Sequence, residues 1–343
     1  MISESNLNAL KSILSNNNNF VIIPHRNPDG DAIGSTLGLY HVLTKLDKTV
    51  TVISPNDLPH FLHWMPCSKS IVNFEQQRNK ATQLIEQADY VFTLDFNVLL
   101  RTGDEMEKFL LSLNKPYIMI DHHQMPDDYA EVMFSCPEYG STCELLYTIL
   151  DKIGLDQYID QDAATCIYTG IVTDSGSFRF PKTTSATHTT IAKLIDKGIE
   201  NPKIHNSLFD NNSYNKLQLM GKALQNLAIL PKLNTSFSFL SEKDLKEFHH
   251  EKGDTEGLVN YGLSIKGVDL TAFFIEQKEE KIIKISFRSH NNFNVNRFAR
   301  AYFNGGGHIN AAGGKSDKSL QETIAYFKTI IAEHKDEFYD ELS

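Results

Sequence analysis

Short apolar runs alternate with helix-length segments through the first half of the 343-residue chain. The runs have the length and composition of buried strands, and they occupy residues 20–24, 49–54, 90–95 and 117–121. Because enough residues for a helix separate successive runs, the pattern predicts βαβ units and a mostly parallel sheet flanked by helices. Helices are predicted at 32–46 and at about 140–154, 161–173 and 184–197.

The second half is organised differently and begins with a polar, turn-rich stretch at 197–215. We interpret this stretch as a linker that leads into a connecting helix. Further β-like runs and helices are expected at 236–240, 268–276, 281–287, 294–303 and 318–336. The sequence therefore predicts an α/β protein with a larger domain at 1–197, a linker and connecting helix at 198–230, and a smaller α/β domain at 231–343.

The chain is acidic, with a formal net charge of -10 and a pI of about 5.7. Proteins that grip long duplex nucleic acids usually present a basic face, so this balance disfavours such a partner. An acidic chain can still bind a small phosphorylated substrate where metal ions supply local positive charge.

The four cysteines form no CxxC pair, which disfavours a zinc ribbon or a thioredoxin-like site. Scattered free thiols are typical of buried positions in a reducing cytosol. No signal-peptide pattern is visible, and no segment approaches the ~20 apolar residues of a membrane span. We therefore expect a cytoplasmic protein without a membrane partner.

An acidic, glycine-containing segment, HRNPDGDAIGS, directly follows the first predicted strand. Ligands of open α/β sheets bind at the carboxyl ends of strands, so His25, Asp29 and Asp31 lie where a site is expected. The glycines would let the backbone bend sharply and approach a ligand. A second interpretation stays open, because Asp29 or Asp31 could instead cap the following helix.

Later strand ends carry the same residue types. Asp95 closes the third predicted strand, and Asp121, His122 and His123 close the fourth. Asp174 lies at the predicted end of a helix. Carboxylates and imidazoles without thiolates suit Mn²⁺ or a similar divalent ion. Two such ions ~4 Å apart would bridge a phosphate and activate water, and they would relieve the repulsion among clustered carboxylates.

The second domain contains a glycine run followed by a histidine, namely Gly305, Gly306, Gly307 and His308. Successive glycines expose backbone N–H groups that can cradle an anion, although such a run is more often a flexible turn. Arg288 and Ser289 close a predicted strand, and an arginine can hold a phosphate through two hydrogen bonds. These residues form a second candidate site.

The segments HRNPDGDAIGS, LDFN, DHH and TGIVTDSGSF resemble, in order and in spacing, the four motifs of the DHH phosphoesterases. The later segment NGGGHINAAGG is similar to the GGGH signature of the DHHA1 domain, although Asn304 stands where many members have another glycine. The resemblance covers nearly the whole chain. It is strongest to the group of bifunctional oligoribonucleases (nanoRNases) and pAp phosphatases.

The resemblance implies a DHH metal-binding domain at 1–197 and a DHHA1 substrate-binding domain at 231–343. It also implies two sets of metal ligands. The first ion would be bound by His25, Asp29 and Asp95, and the second by Asp31, His122 and Asp174. Asp95 would be shared by both ions and would be catalytic together with His123, which would contact the scissile phosphate or protonate the leaving oxygen. The resemblance implies that the end of the substrate distant from the metals is bound by Arg288, Ser289 and residues 305–308.

The implied activity is hydrolysis of phosphate esters in short oligoribonucleotides, linear dinucleotides or 3'-phosphoadenosine 5'-phosphate (pAp), through two-metal activation of water. Two Mn²⁺ ions would be the cofactors, with Mg²⁺ or Co²⁺ as substitutes. The expected partners are short single-stranded RNA or small nucleotides, and a homodimer stays open.

Three other functions are alternatives to this activity. A manganese inorganic pyrophosphatase shares the first-domain motifs, but the GGGH segment argues against it. A processive single-strand exonuclease is disfavoured by the acidic balance. A catalytically inactive nucleotide-binding sensor would have lost one or more metal ligands, and this sequence retains all of them.

Overall fold

The computed structural model describes residues 2–251, 253–278, 280–290 and 292–339, apart from the side chain of His308. The chain forms two compact units, Met1–Asn211 and Asn212–Ser343. Each unit contains one six-stranded sheet and its own hydrophobic core. The predicted class, a mostly parallel α/β domain followed by a smaller α/β domain, is confirmed.

Six strands form the sheet of the first unit, and they are β1 (Asn19–Pro24), β2 (Thr49–Ser54), β3 (Val72–Asn73), β4 (Tyr90–Leu94), β5 (Tyr117–Asp121) and β6 (Val132–Ser135). Their order is β3-β2-β1-β4-β5-β6, and every described pairing is parallel. The four predicted runs correspond to β1, β2, β4 and β5. The two edge strands were not predicted, because both are short and β6 is only half buried.

Eight α-helices accompany this sheet, and they are α1 (Glu4–Asn16), α2 (Gly30–Lys45), α3 (Arg78–Gln87), α4 (Asp104–Ser112), α5 (Thr142–Lys152), α6 (Gln161–Asp174), α7 (Ser185–Asp196) and α8 (Asn201–Phe209). Short 3-10 turns lie at His60–Leu62, Ser68–Ser70, Leu99–Thr102 and Asp156–Tyr158. Helix α2 is buried along nearly its whole length and packs against α5 and α6. This packing fixes the helix that carries Asp31.

The segment predicted to be a linker contains a helix. Helix α8 has a proline in its first turn, where the missing N–H costs nothing. It buries Ile204, and the Tyr168 hydroxyl lies 3.0 Å from His205 Nε2. These contacts make α8 part of the first unit, and the division of the chain falls after Asn211. The predicted connecting helix corresponds to α9 (Tyr214–Gln225), which ends earlier than expected because a strand follows.

The second unit contains a mixed sheet of β7 (Ala228–Leu230), β8 (Thr235–Leu240), β9 (Leu270–Gln277), β10 (Ile282–Ser289), β11 (Gly306–His308) and β12 (Ala311–Ser316). The order is β11-β12-β10-β9-β8-β7, and only the pairing of β8 with β9 is parallel among the described strands. The remaining elements are α10 (Glu242–Glu247), α11 (Val259–Leu263), α12 (Val295–Tyr302), α13 (Leu320–His334) and the 3-10 turns Pro231–Leu233 and Lys335–Phe338.

The two faces of the second sheet bury different residues. One face packs a phenylalanine-rich core that includes Phe274, Phe287 and Phe327. The other face packs Phe273 and Ile275 against residues of α9 and α11. Within the described residues, no helix is both long and apolar enough to cross a membrane.

Candidate active site

Three neighbouring strands of the first sheet end in the predicted site residues. His25 follows β1, Asp95 follows β4, and His122 and His123 follow β5. These strands are adjacent and parallel, so their carboxyl ends meet at one edge of the sheet. Asp174 reaches the same place from the last residue of α6.

Asp29 caps α2 with one carboxylate oxygen and faces the candidate site with the other. Its Oδ1 caps α2 by accepting hydrogen bonds from the N–H groups of Asp31 at 3.0 Å and Ala32 at 3.1 Å. Its Oδ2 lies 3.8 Å from His25 Nε2 and so faces the site. A single carboxylate can do both because its two oxygens point in different directions.

The structure brings the six predicted metal ligands together in two neighbouring groups. The first group contains His25, Asp29 and Asp95, and the second contains Asp31, His122 and Asp174. Within each group, one nitrogen or oxygen atom of every residue lies within 4.8 Å of the others. Asp95 joins the two, since its Oδ2 is 3.4 Å from His25 Nε2 and its Oδ1 is 3.6 Å from His122 Nε2. A third overlapping group contains Asp95, His122 and His123.

Hydrogen bonds to the protein determine which nitrogen of each ring faces the carboxylates. His25 Nδ1 donates to the carbonyl of Arg26 at 2.9 Å, and His122 Nδ1 donates to the carbonyl of Tyr139 at 3.3 Å. Each bond leaves Nε2 directed at the acidic cluster. This arrangement, in which one ring nitrogen is held by a protein oxygen, is typical of metal-binding histidines.

His123 is oriented differently, through Asp121. Its Nδ1 lies 2.7 Å from Asp121 Oδ1, and its backbone N–H donates to Asp121 Oδ2 at 2.8 Å. Asp121 is fully buried, so this carboxylate fixes the ring firmly. The pairing resembles the way a buried carboxylate holds a catalytic histidine in one tautomer.

Without a cation, burial and mutual repulsion make the negative charges of this cluster unfavourable for the folded protein. Burial, and after it the charge of Asp29, raises the pKa of Asp31 to about 6. Burial and then the charge of Asp31 raise the pKa of Asp174 to about 7 and the pKa of Asp95 well above its usual range. Burial lowers the pKa of His25, but the carboxylates of Asp29 and Asp95 outweigh it and raise this pKa to about 10.

The donor set fits a divalent cation. It combines carboxylate oxygens with two imidazole nitrogens and contains no thiolate, which suits Mn²⁺ and similar ions better than a structural zinc site. A cation among these oxygens would also offset both the burial of the carboxylates and their mutual repulsion. The residues present therefore match the metal centre that the family implies.

Two features of this site were missed from the sequence. The first turn of α5 contacts the acids, with the Thr142 hydroxyl donating to Asp95 Oδ1 at 2.8 Å. The S-x-x-E pattern that begins at Ser141 could have predicted the helix start, but not its partners. The segment after Asp174 is strained, since Ser177 and Phe178 have φ values of 58° and 66°.

Arg288 and Ser289 of the second unit point to opposite faces of β10, as successive strand residues must. Arg288 is half-buried, which lowers its pKa, and its Nη1 donates to the carbonyl of Phe287 at 2.9 Å. No carboxylate of the described residues lies within ion-pairing distance of it. The Ser289 hydroxyl is buried and donates to the carbonyl of Phe293 at 2.6 Å, so it connects the end of β10 to the residues that precede α12.

The glycine run forms a hairpin rather than a loop. Residues 306–308 pair with β12, and a Cβ on Gly305 would clash with the carbonyl oxygen of Gly313, so only glycine fits there. The N–H of Gly305 donates to the carbonyl of Ala299, and the N–H of Gly307 donates to Asn296 Oδ1. The side chain of His308 lies outside the described part of the chain. Substrate binding by this segment stays a prediction.

The fold and the acidic cluster define an α/β protein with a candidate divalent-metal centre at the carboxyl edge of its parallel sheet. Two family models match the chain, the N-terminal domain of the DHH family over residues 19–171 and the DHHA1 domain over residues 238–333. The chain therefore belongs to the DHH family and carries a DHHA1 domain, as its motifs indicated. Members of this family are phosphoesterases, and the protein is a hydrolase that acts on phosphate ester bonds.

Comparisons with individual proteins agree with this assignment. The chain is 28% identical to the bifunctional oligoribonuclease and PAP phosphatase NrnA of Thermus thermophilus, over 91% of this chain and 88% of that protein. It is 27% identical to NrnA of Bacillus subtilis, over 92% and 96%. A crystal structure of an exopolyphosphatase-related protein from Bacteroides fragilis is 38% identical, with a TM-score of 0.95 over 98% of both chains.

Proposed function

We propose that this protein hydrolyses phosphate esters in short oligoribonucleotides, linear dinucleotides or pAp, with two divalent metal ions as cofactors. The observation that carries the proposal is Asp95, whose two oxygens face two separate groups of candidate ligands. The names of the NrnA relatives, which describe oligoribonuclease and PAP phosphatase activities, support the choice of substrates.

The proposed ligands of the first ion are His25, Asp29 and Asp95, and those of the second are Asp31, His122, Asp174 and again Asp95. Bound ions would lower the pKa of a coordinated water and stabilise negative charge on the phosphate. Mn²⁺ is the proposed native ion because the site mixes carboxylates with imidazoles, and Mg²⁺ or Co²⁺ are the proposed substitutes.

His123 is the proposed proton donor to the leaving group. Asp121 accepts the Nδ1 proton of His123, which leaves Nε2 as the nitrogen directed away from that carboxylate. In this role Nε2 would hold a proton near the scissile phosphate and pass it to the departing oxygen as the P–O bond breaks.

Arg288 is the proposed contact for the end of the substrate that is not cut. A half-buried guanidinium without a carboxylate partner among the described residues is suited to a phosphate, which it can bind through two hydrogen bonds. The proposed interaction would raise affinity for nucleotides without contributing to bond cleavage.

The test is a set of hydrolysis assays with the purified full chain, in Mn²⁺ and in EDTA. The substrates are pAp, a linear dinucleotide and inorganic pyrophosphate. We expect Mn²⁺-dependent release of phosphate or mononucleotide from the first two, and none in EDTA. Preferential cleavage of pyrophosphate would replace this function with that of a pyrophosphatase, and binding of nucleotides without turnover would identify a sensor.

A further inference from the structure

The first turn of α5 holds two buried acids of the candidate metal centre. The N–H of Thr142 donates to Asp31 Oδ2 at 2.6 Å, and the N–H of Cys143 donates to Asp31 Oδ1 at 2.9 Å. The hydroxyl of Thr142 donates to Asp95 Oδ1. Thr142 therefore touches both carboxylates with two different groups, inside a region that excludes water.

The oxygens that Thr142 contacts are those directed toward His122. Asp31 Oδ2 lies 3.9 Å from His122 Nε2, and Asp95 Oδ1 lies 3.6 Å from the same nitrogen. With Oδ1 held by the hydroxyl, the second oxygen of Asp95 faces His25. A hydroxyl at this position thus determines the plane of the one carboxylate that both ligand groups share.

The turn that presents Thr142 is itself anchored. Ser141 caps α5 by accepting the N–H of Glu144 at 3.0 Å. The Glu144 carboxylate is buried and accepts the Thr187 hydroxyl on both oxygens, at 3.0 and 3.1 Å. The start of α5 is therefore held by α7 as well as by the acids that Thr142 contacts.

We infer that Thr142 is a positioning residue of the metal centre, whose hydroxyl orients the Asp95 carboxylate so that its two oxygens serve the two ions. The inference rests on the proposed function, since it takes the six ligands as a metal site. Groups that orient metal ligands commonly contribute about 10- to 100-fold in metal affinity. In this role Thr142 acts through the carboxylate of Asp95 and is not itself a proposed ligand.

The test compares Mn²⁺ binding to the full chain and to three variants by titration calorimetry. Thr142→Val removes the hydroxyl at nearly constant volume, and Thr142→Ser keeps the hydroxyl. Thr169→Val is the matched control, because Thr169 is equally buried but its hydroxyl donates to the carbonyl of Thr165 within α6. Thr142→Ala serves as a second deletion in case the valine methyl prevents folding, which far-UV circular dichroism in EDTA would show.

We expect Thr142→Val to weaken Mn²⁺ binding at least tenfold and Thr142→Ser to stay within about threefold of the wild type, as Thr169→Val should. Equal affinities for Thr142→Val and Thr169→Val would overturn the inference, as would a wild-type chain that binds no Mn²⁺. The proposed function fails separately, because a chain that binds Mn²⁺ but cleaves no nucleotide would overturn only the substrate assignment.

Discussion

The backbone conformation and the ionised side chain of Asp95 both lower the stability of the folded protein. Its backbone is in the left-handed region, with a φ of 67°, and its side chain is buried among other acids. Burial and the charge of Asp31 raise its pKa, so the ionised form destabilises the fold, and stability should rise as the pH falls through the raised pKa. The proposed role of Asp95 as a ligand of two cations would account for an acid in so unfavourable a position.

We expect Asp95→Asn to separate stability from function. Asparagine tolerates the left-handed backbone as aspartate does, and it removes the repulsion from Asp31. The variant should therefore melt in EDTA at or above the wild-type temperature, yet lose the stabilisation that Mn²⁺ gives the wild type. Its turnover of pAp or a dinucleotide should fall by more than tenfold, about 1.4 kcal/mol of barrier. Thermal melts with and without Mn²⁺, together with rates, check these outcomes.

Asp151→Asn is the control for this change, because Asp151 is a half-exposed acid on α5 whose partner is Lys193. It should behave as the wild type in both measurements. If Asp95→Asn kept its stabilisation by Mn²⁺, Asp95 would not be a shared ligand.

Arg288→Ala tests the proposed division between binding and cleavage. Loss of one charge-assisted contact, about 1.5–3 kcal/mol, should lower kcat/KM for nucleotides by roughly 10²-fold. A small artificial ester such as bis-p-nitrophenyl phosphate has no distant phosphate, so its hydrolysis should be unchanged. Steady-state kinetics on both substrates give the comparison.

Lys284→Ala is the matched control, since Lys284 lies on the same face of β10 but is exposed. It should leave both substrates unaffected. A variant of Arg288 that slowed the artificial ester as much as the nucleotides would place this arginine at the metals or in the support of the fold.

Helices α2 and α6 owe their close packing to glycines on α2. A Cβ on Gly34 would lie 2.6 Å from the backbone oxygen of Cys166, and a Cβ on Gly38 would lie 2.7 Å from the Ile167 side chain. The first of these neighbours is backbone and cannot rotate away. The spacing of the two helices therefore depends more strongly on Gly34, one turn from Asp31.

We expect Gly34→Ala to destabilise the protein by about 1–3 kcal/mol, because the helices must separate to admit the methyl group. Gly38→Ala should cost less, since a side chain can adjust. Gly221→Ala, in α9 with no atom near the added methyl group, should be neutral or stabilising by about 0.4–1 kcal/mol. Urea unfolding of the three variants gives the order. A Gly34→Ala protein as stable as the wild type would show that the helices can separate freely.

The elements that were predicted are those whose signals are local. The strands β1, β4 and β5 are continuous apolar runs, and each is immediately followed by a candidate ligand, so the sequence indicated both the sheet and the candidate cluster. Helix α8 was missed because its polar surface and turn-forming residues resemble a linker. The glycine segment was expected as a loop, but its pairing with β12 depends on residues that follow it.

Contacts between distant parts of the chain could not be predicted in the same way. The bond from Thr142 to Asp95 spans 47 residues, and the bond from its N–H to Asp31 spans 111. Neither leaves a pattern in the sequence near Thr142, since Ser141 and Glu144 explain the helix start by themselves. Such contacts follow from how α5 packs on α2, which only the folded structure shows.

At the scale of the whole molecule, the proposed metal ligands and the residues proposed to bind the substrate belong to different units of the chain. All six proposed ligands precede Asn211, and Arg288 and the glycine hairpin follow it. The chain as a whole carries a net charge of -10, so little of its surface attracts a long polyanion. Affinity should therefore come from a few local contacts with a short substrate.

Salt dependence and substrate length together test this picture. Each phosphate neutralised by a basic side chain adds about 0.7 to the slope of log affinity against log salt for a single strand. If only Arg288 and one or two neighbours contact phosphates, the slope of log kcat/KM should stay near -1 to -2, on the order of two contacts. The slope should be the same for a dinucleotide and for a strand of about 24 nucleotides, because we expect a chain with a net charge of -10 to attract the added phosphates little. The longer strand should also have at least tenfold lower kcat/KM.

Bis-p-nitrophenyl phosphate, measured at the same salt and Mn²⁺ concentrations, corrects for effects of salt on the metal centre. A slope that steepens with strand length would reveal an extended basic track, and with it a nuclease for long substrates.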